Sequence, residues 1–548
     1  MATVGELIVE TLAAHHIDRV FCVPGESYLG LLDALHERSD VDTVVCRHES
    51  GAGFMALADS RLSGRPGVAC VSRGPGASNA SIAVHTAQQD GIPFILLIGQ
   101  VAARDVRRDS FQEIDYGRMF GGIAKWTAEI TDPERAAETM LRALQTATTG
   151  VPGPVVIALP EDILTAECTT KVVKPQAPIT SAPDATSLVE LRRLLASAER
   201  PLVIAGSGLD KPGGREKLLA FLDAWDLPAV VSFRRQDLLP NSHRLYVGDM
   251  GLSNPASQMS VLEQADLLVV LGARLSDITT QGYAFPNLVR PSQRLVHIHS
   301  DSTVIGSHFA SDLSIACSAI SLIDTIGRPE GALPDRSRWI ARLAEERGKI
   351  ATVRSFDVND GIPFELVVDL VGRRLSRDAI VTLDAGTFAA PAYRIINFTP
   401  PQRLLAPISG AMGFGIPAAV AAALREPGRD VICFVGDGGF LMTGSELAVA
   451  MERNLPLKVI VSENGIYGSI RIHQERNYPG RHTGTGFVNP DFELIGRAFG
   501  CSVTRISSAS QLPQLTEALR TPGPQFIIVN TSVKAILPTT AAVRAVAE

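Results

Sequence analysis

The chain has 548 residues, which at roughly 150 residues per domain predicts three or four domains. Hydrophobic residues make up 45% and charged residues 20% of the sequence, which excludes a disordered or collagen-like chain. The formal net charge of -7 argues against a general nucleic-acid-binding protein, because such proteins carry a basic surface.

Seven cysteines without a C-x-x-C pair favour a reducing compartment over a disulfide scaffold. No stretch approaches the length of about 18 apolar residues that a membrane span needs. The N-terminal segment mixes acidic residues and histidines with its apolar residues, unlike a signal peptide. We therefore expect a cytoplasmic protein without membrane partners and, given its size, an enzyme.

Short apolar runs alternate with helical periodicity in the first third of the chain. Each run is bounded by Gly, Pro or a charge, and the runs are 19–23, 42–47, 67–72, 94–99 and 155–159. This alternation predicts a parallel sheet covered by helices on both faces. The segment 171–186 has three prolines and no helical period, which predicts a linker.

The same alternation continues in two further units. The second has runs at 201–205, 267–271 and 295–298, and the third has runs at 379–383, 431–435, 457–461 and 526–529. The sequence therefore predicts an α/β protein with three doubly wound parallel-sheet domains, at 1–170, 187–340 and 356–548. The first and third could share one architecture, which periodicity alone does not establish.

The most informative motif is Gly-Asp-Gly-Gly at 436–439. We predict that a buried strand ends at Val435, that the glycines form a turn, and that a helix begins near Thr443. Such a transition places backbone N–H groups where a phosphate can bind. Asp437, and Asn464 after the next strand, offer hard oxygens for Mg²⁺. The alternative is two ordinary strand-end turns, because Asp-Gly and Asn-Gly are common turn dipeptides.

A second motif is Arg-His-Glu at 47–49. Glu49 follows a predicted strand and opens a helix whose next residues, 50–53, are all small, so that another chain or a ligand can approach closely. The alternative is a helix-start acid that the helix dipole favours.

These motifs resemble the thiamine diphosphate-dependent decarboxylase and carboligase family, which includes acetolactate synthase, pyruvate decarboxylase, benzoylformate decarboxylase and oxalyl-CoA decarboxylase. Six more segments match the family in its own order: VPGES at 23–27, SRGPGASN at 72–79, GIPFILLIGQ at 91–100, DSFQEID at 109–115, GPVVIALPEDI at 153–163 and GAMGFGIP at 410–417. The resemblance implies a pyrimidine-binding domain, a central Rossmann-like domain and a diphosphate-binding domain.

The resemblance further implies thiamine diphosphate and Mg²⁺ as cofactors. The implied metal ligands are Asp437, Asn464 and the carbonyl of Ile466. The implied cofactor contacts are Gly25, Pro75, Asn79, Gly386, Thr387, Gly410, Met412, Gly438 and Gly439. Glu49 would face the pyrimidine from the partner subunit of a homodimer or homotetramer, with active sites at the subunit interface. In one departure, Glu463 precedes Asn464 where the family usually has two asparagines.

Acetolactate synthase has the most similar overall pattern, partly through Gln112 in the Phe-Gln-Glu motif, so we count Gln112 as a catalytic candidate. Three substrate positions differ from that enzyme. Ser469 and His473 replace a Met and a Trp of the acceptor pocket, and Ile278 replaces an Arg that grips the acceptor carboxylate. Losing this charge-assisted clamp would weaken recognition of a keto acid acceptor by about 1.5–3 kcal/mol.

For several other residues the sequence supports two interpretations of the role of the side chain. Glu26 lies where pyruvate decarboxylases place an acid, as a proton relay or as a solvated loop carboxylate. His85 is a candidate proton carrier or a hydrogen-bonded structural residue, and His473 is a catalytic candidate because it occupies a specificity position. The central unit has Gly-Ser-Gly at 206–208 but Lys211 at the third glycine position of a dinucleotide motif. FAD is therefore an alternative occupant of this unit, but not the favoured one.

We expect a Mg²⁺- and thiamine diphosphate-dependent lyase or ligase that decarboxylates 2-keto acids or joins them to an acceptor. A 2-hydroxyacyl-CoA lyase or oxalyl-CoA decarboxylase is the alternative within the family, and the short segment after 532 disfavours it. A nucleotide-binding oxidoreductase is disfavoured by Lys211. A non-catalytic paralogue is disfavoured by the intact Glu49, Asp437 and Asn464.

Overall fold

The computed structural model describes residues 1–176, 179–287, 289–354 and 356–536. It contains three six-stranded sheets, and every strand pair within them is parallel. This confirms the predicted α/β class with three parallel-sheet units. Two predicted positions in the 171–186 linker, 177 and 178, lie outside the described residues, as do 537–548 at the C-terminus.

The first unit has the strand order β3-β2-β4-β5-β7-β6, and β1 pairs with β8 in a separate antiparallel ribbon. Its strands are β1 (Ala2–Thr3), β2 (Arg19–Cys22), β3 (Asp42–Val45), β4 (Gly67–Ser72), β5 (Phe94–Gln100), β6 (Trp126–Glu129), β7 (Pro154–Pro160) and β8 (Glu167–Cys168). Its helices are α1 (Val4–Ala14), α2 (Leu29–His36), α3 (Glu49–Ser63), α4 (Arg73–Asp90), α5 (Tyr116–Phe120), α6 (Ala136–Thr148) and α7 (Glu161–Leu164).

The central unit has the order β11-β10-β9-β12-β13-β14. Its strands are β9 (Pro201–Ala205), β10 (Ala229–Ser232), β11 (Tyr246–Met250), β12 (Leu267–Leu271), β13 (Arg294–Ile298) and β14 (Leu313–Ile315). Its helices are α8 (Ala185–Ser197), α9 (Gly214–Trp225), α10 (Ala256–Leu262), α11 (Ala319–Ile326) and α12 (Ser337–Ala351). The last two residues of the predicted linker therefore begin α8.

The third unit has the order β16-β15-β17-β18-β20-β19. Its strands are β15 (Ile380–Leu383), β16 (Arg403–Leu405), β17 (Val431–Gly436), β18 (Leu457–Glu463), β19 (Ser502–Ile506) and β20 (Gln525–Asn530). Its helices are α13 (Phe364–Gly372), α14 (Ala389–Ile395), α15 (Gly415–Arg425), α16 (Asp437–Thr443), α17 (Leu447–Glu452), α18 (Gly468–Asn477), α19 (Phe492–Ala498) and α20 (Leu512–Arg520).

The first and third sheets share one connectivity. Numbered within each sheet, their strands follow the order 2-1-3-4-6-5, whereas the central sheet follows 3-2-1-4-5-6, the order typical of dinucleotide-binding folds. Successive residues of β5 alternate between two hydrophobic clusters, since Leu96 belongs to one and Leu97 to the other. Both faces of this sheet are therefore buried, which explains the continuous apolar runs in the sequence.

Helices α3 and α15 join the first and third units in one hydrophobic cluster. Their contact is built from small residues such as Ala52 and Ala419, and the rings of Phe54 and Phe414 meet edge to face at 5.6 Å. Small side chains let two helices approach closely, so the two units form a continuous core within one chain. In the part of the chain that the structure describes, no helix is long and apolar enough to span a membrane.

Candidate functional site

A cavity of about 180 Å³ opens at the carboxyl ends of β15, β17 and β18. The chain leaves β15 for the edge strand β16 and returns to β17 on the other side, and ligands bind at such switch points in parallel sheets. The cavity brings together all the third-unit residues that the sequence indicated as cofactor or metal contacts, namely Gly386, Thr387, Gly410, Met412, Asp437, Gly438, Gly439, Asn464 and Ile466.

Asp437 begins α16 and is nearly fully buried, with 3% of its surface exposed. Its Oδ1 accepts a hydrogen bond from the Gly438 N–H at 2.8 Å. Its Oδ2 accepts bonds from the N–H groups of Asn464 at 2.8 Å and Gly465 at 2.7 Å, and from Nδ2 of Asn489 at 2.9 Å. The carboxylate is therefore held against the loop that follows β18.

The oxygen atoms at this site differ in kind. A carboxylate from Asp437 and a side-chain amide from Asn464 line the same cavity, together with Ile466. No cluster of three or more His, Cys, Asp or Glu that could hold a metal occurs among the described residues. A metal at this cavity would consequently use one carboxylate with amide, carbonyl and ligand oxygens, which suits Mg²⁺ rather than a softer ion.

The prediction of a glycine turn before a helix near Thr443 is wrong. Strand β17 ends at Gly436, α16 begins at Asp437, and the two following glycines form its first turn without a positive φ. Packing explains these glycines, because a Cβ atom at Gly438 would lie 2.7 Å from the ring of Tyr467. A Cβ atom at Gly439 would lie 2.9 Å from a carboxylate oxygen of Asp384.

Asp384 is a buried carboxyl group at the end of β15 that the sequence analysis missed. It accepts hydrogen bonds from the N–H groups of Ala385, Gly413 and Gly415 at 2.7, 3.0 and 2.9 Å. Burial raises the pKa of Asp384 to about 6, against the lowering effect of these bonds. The residue fixes the segments on both sides of the cavity, and its only signal in the sequence is its position directly after an apolar run.

Glu49 lies in the first unit and does not line the cavity. It begins α3, is half-buried, and accepts a hydrogen bond through Oε2 from Nδ2 of Asn79 on α4 at 2.9 Å. Pro75 lies in the first turn of the same α4. The structure thus brings Glu49, Pro75 and Asn79 together, but separates them from the third-unit group within one chain.

The remaining first-unit candidates lie on loops near the start of α4. Gly25 packs on Ser72, where a Cβ atom would approach the serine side chain to 2.4 Å. Glu26 is exposed at the start of a short 3-10 helix. Gln112 is exposed, and its carbonyl accepts a hydrogen bond from the N–H of Gly74 at 2.9 Å.

Glu446 is a second carboxyl group that the sequence analysis missed. It belongs to the third unit, yet accepts hydrogen bonds from the N–H groups of Arg47 at 3.1 Å and His48 at 2.9 Å, directly before Glu49. Its side chain is fully buried, and burial raises its pKa to about 7. The sequence does not indicate that Glu446 lies near Glu49, because 397 positions separate them and only the packing of the first unit against the third brings them together.

The substrate positions fall in different surroundings. Ser469 lines the cavity, whereas His473 is exposed on α18 and His85 is exposed on α4. Ile278 packs against a hydrophobic cluster of the third unit. Glu463, the unusual residue before the metal loop, forms an ion pair with Arg505.

A second, larger cavity of about 650 Å³ lies at the switch point of the central sheet, beside the ends of β9 and β12. All three units contribute to its lining, including Arg61 from the first, Lys211 from the central and Arg403 from the third unit. Arg61 and Arg403 both pair with the buried Asp210, at 2.8 and 3.1 Å. Part of the positive charge at this cavity is thus balanced by Asp210.

Sequence models of three domain families match this chain in order. They are described as the N-terminal TPP binding domain, the central domain and the C-terminal TPP binding domain of thiamine pyrophosphate enzymes, and they match residues 2–119, 188–326 and 384–529. The C-terminal match contains the whole Asp437 loop and all residues that line the cavity of about 180 Å³.

Curated relatives match over nearly the full length. The acetolactate synthase large subunit of Lactococcus lactis is 30% identical over 531 residues, covering 96% of this chain and 92% of the relative. The subunit of the same name from Corynebacterium glutamicum is 29% identical over 533 residues, covering 94% and 84%. A probable acetolactate synthase large subunit of Methanocaldococcus jannaschii is 30% identical over 540 residues, covering 95% and 90%.

Proposed function

Because the chain belongs to the thiamine diphosphate-dependent enzyme family, as an acetolactate synthase-like decarboxylase and carboligase, we propose that it decarboxylates a 2-keto acid. The product is then protonated or joined to an uncharged carbonyl acceptor. The observation that carries this proposal is the convergence of the Asp437 loop, Gly386, Gly410 and Met412 on one cavity at a switch point. The assigned domains are pyrimidine-binding at 1–170, central at 187–340 and diphosphate-binding at 356–548.

The residues at the cavity fit thiamine diphosphate and Mg²⁺. Asp437, Asn464 and the carbonyl of Ile466 would hold the metal. Gly386, Thr387, Gly438 and Gly439 would contact the diphosphate, and Gly410 and Met412 the aminopyrimidine. The two glycines of α16 leave space that a side chain would fill, and Oδ1 of Asn489, beside Asp437, is buried without a protein partner among the described residues. When bound, the cofactor supplies a carbon nucleophile and an electron sink.

The protein supplies proton transfer and orientation. We propose that Glu49 exchanges a proton with the ring nitrogen of the cofactor's pyrimidine. The hydrogen bond from Asn79 to Oε2 fixes the Glu49 carboxylate. Gly25 and Pro75 would contact the same ring. Glu26, Gln112 and His473 are assigned to the substrate side as proton carriers or positioning groups.

We propose a homo-oligomer whose active sites lie between subunits. The cavity of about 180 Å³ is smaller than the roughly 300 Å³ at which ligand pockets begin. Glu49 and Asn79 lie outside it in the same chain, so a second copy would complete the site. Leu441 and Met442 on α16 expose about half of their surface, at 48% and 49%, which is the apolar surface that a partner subunit would cover.

Mixing two inactive variants tests this arrangement. In a dimer of Glu49→Gln and Asp437→Ala chains, a site shared between subunits gives one doubly altered site and one intact site. The mixed dimer should therefore recover up to half of the wild-type activity after joint refolding or co-expression. A site formed within one chain would give two damaged sites, and no recovery would contradict the shared site.

The acceptor should be uncharged. Ile278 packs against apolar residues and offers no charge for an acceptor carboxylate, and a carboxylate that loses its water without a partner is destabilised. The relatives named above are acetolactate synthases, so the acyl-CoA alternative is not better supported than a keto acid donor.

A panel of 2-keto acids, alone and with aldehydes or acyl-CoA thioesters, tests the reaction. We expect CO₂ release from at least one keto acid that requires both thiamine diphosphate and Mg²⁺, with products identified by mass. Cofactor-loaded protein that releases CO₂ only from an acyl-CoA, or from no substrate, would overturn the proposed donor class. The visible absorption of the purified protein tests separately for FAD.

A further inference from the structure

The segment 485–489, which we term the strap, lies along the loop 464–467 that carries two of the proposed metal ligands. The N–H of Tyr467 donates to the carbonyl of Thr485, and the N–H of Phe487 donates to the carbonyl of Gly465, both at 2.9 Å. The rings of Tyr467 and Phe487 also pack together, with centroids 4.9 Å apart. The strap therefore holds the metal loop in place through protein contacts alone.

Asn489 ends the strap and reaches the carboxylate of Asp437, donating from Nδ2 to Oδ2 at 2.9 Å. An ionised carboxylate only accepts hydrogen bonds, so the amide nitrogen of Asn489, and not its amide oxygen, is the atom that faces Oδ2 of Asp437. That oxygen, Oδ1, is buried and finds no hydrogen-bond partner within the described part of the chain. A buried acceptor without a partner is unfavourable unless water or a ligand satisfies it.

The bonds to Asp437 are distributed unequally between its two oxygens. Within the described residues, Oδ2 accepts three N–H groups, from Asn464, Gly465 and Asn489, whereas Oδ1 accepts only that of Gly438. An oxygen with three donors has little capacity left for a cation, so Oδ1 is the atom available to a metal. Asn489 contributes to this choice from outside the set of direct ligands.

We propose that Asn489 is a positioning residue of the metal centre: its Nδ2 fixes the Asp437 carboxylate, and its Oδ1 accepts a hydrogen bond from a water molecule bound to the metal. This inference rests on the proposed function, because it needs Mg²⁺ at Asp437 and Asn464. Mg²⁺ in proteins usually keeps water ligands, and such waters need acceptors. The orphaned Oδ1 provides one on the protein side.

Metal titration of apoprotein saturated with thiamine diphosphate tests the proposal. Asn489→Leu removes donor and acceptor at similar volume, and should weaken Mg²⁺ affinity by about 10–100-fold, the usual effect of losing a partner of a metal ligand. Asn254→Leu is the matched control, since Asn254 is also half-buried, precedes a proline and donates from Nδ2 to Asp249 and Gln258. This control should bind Mg²⁺ within twofold of wild type.

A second readout separates positioning from general destabilisation. With Mn²⁺ in place of Mg²⁺, water-proton relaxation reports the exchange of metal-bound water, and we expect faster exchange in Asn489→Leu but not in Asn254→Leu. Equal Mg²⁺ affinity in Asn489→Leu and wild type, or unchanged water exchange, would overturn the proposal. If the leucine variant does not fold, Asn489→Ser is measured in the same way.

Asp437→Ala makes the two failures distinguishable. If Asp437→Ala abolishes Mg²⁺ binding while Asn489→Leu leaves it unchanged, only the role of Asn489 is wrong. If Asp437→Ala also leaves Mg²⁺ binding unchanged, the metal site of the proposed function itself is wrong.

Discussion

Two carboxyl groups from different units meet at the start of α3. Glu49 opens the helix and remains half-buried, whereas Glu446 is fully buried behind it and accepts the N–H groups of Arg47 and His48. Burial raises the pKa of Glu446 to about 7, so near neutral pH this group sits at the midpoint of its titration. The protonation of Glu446 therefore affects both stability and the electrostatic surroundings of Glu49.

Glu446→Gln should flatten the pH dependence of stability. The pKa of Glu446 in the unfolded chain is about 4.3, so the folded state favours the protonated acid. The resulting stability is complete below the unfolded value and is lost as pH rises through about 7. In urea unfolding of apoprotein, the wild type should lose more free energy of unfolding between about pH 5 and 8 than the variant, which cannot ionise. Parallel profiles for both proteins would contradict this assignment.

Glu49→Gln should separate cofactor binding from cofactor activation. Gln preserves the shape of the side chain and can still accept from Asn79, but cannot carry the proton. Hydrogen–deuterium exchange at C2 of bound thiamine diphosphate should slow by about 100-fold or more, with cofactor affinity nearly unchanged. Exchange within a few-fold of wild type would remove Glu49 from its proposed role.

Asp437 and Asn464 were predictable from their positions after apolar strands, whereas Asp384, which follows β15 in the same way, was missed. Residues placed by distant segments were missed as well. Asp437 and Asn464 follow β17 and β18, and parallel strands bring their carboxyl ends to one edge, so the sequence sufficed to place them together. Asn489 reaches Asp437 across 52 positions and Glu446 reaches Arg47 across 399, through folds of the chain that no local pattern reports.

At the scale of elements, the loop after β12 supports the proposed preference for an uncharged acceptor, because its residue Ile278 packs against the third unit and carries no charge. Ile278→Arg should raise acetolactate formation relative to aldehyde release, since a guanidinium would pair with the acceptor carboxylate. The donor half-reaction should change little. Product ratios from pyruvate, with Ile278→Met as the uncharged control, measure this. A wild-type enzyme that already makes acetolactate as its best product would contradict the argument.

Most fully buried strands were predicted, but β10 and β11 were missed although all of their residues are buried. The runs at 67–72, 201–205 and 267–271 coincide with β4, β9 and β12. Edge strands such as β6 and β19 were missed, because most of their residues are only partly buried and their composition lacks a continuous apolar run. The start of α16 was misplaced by six residues, since glycines that serve close packing look the same in sequence as glycines that serve a turn.

At the scale of the whole molecule, a buried ion cluster ties the three units together. Arg61 of the first unit and Arg403 of the third both pair with Asp210 of the central unit, and Arg215 pairs with it at 2.6 Å. Burial alone would raise the pKa of Asp210, but the guanidinium groups of Arg61, Arg403 and Arg215 outweigh it and hold the pKa well below its usual range. The carboxylate thus stays charged inside the protein.

Asp210→Asn should loosen the junction of all three units. The change leaves several buried guanidinium groups without their shared partner, and breaking a buried pair from one side costs about 3–5 kcal/mol. We expect a lower unfolding midpoint in thermal or urea denaturation and faster proteolysis between the units. Glu190→Gln, which breaks an exposed pair with Arg193 on α8, is the control and should change stability little. Equal losses for both variants would contradict a special role of the cluster.

The first and third sheets share one connectivity, but the crevices at their switch points differ. In the third sheet, the crevice beside the first strand is open and lined by the Asp437 loop. In the first sheet, the loop after β2 lies on the end of β4 at the same position, where Gly25 packs on Ser72 and Ser27 shares a hydrogen bond with it at 2.9 Å. The third sheet thus has an open crevice at its switch point, whereas the loop after β2 fills the equivalent crevice of the first sheet. In the homo-oligomer that we propose, a pair of chains with four such crevices would therefore have two working centres.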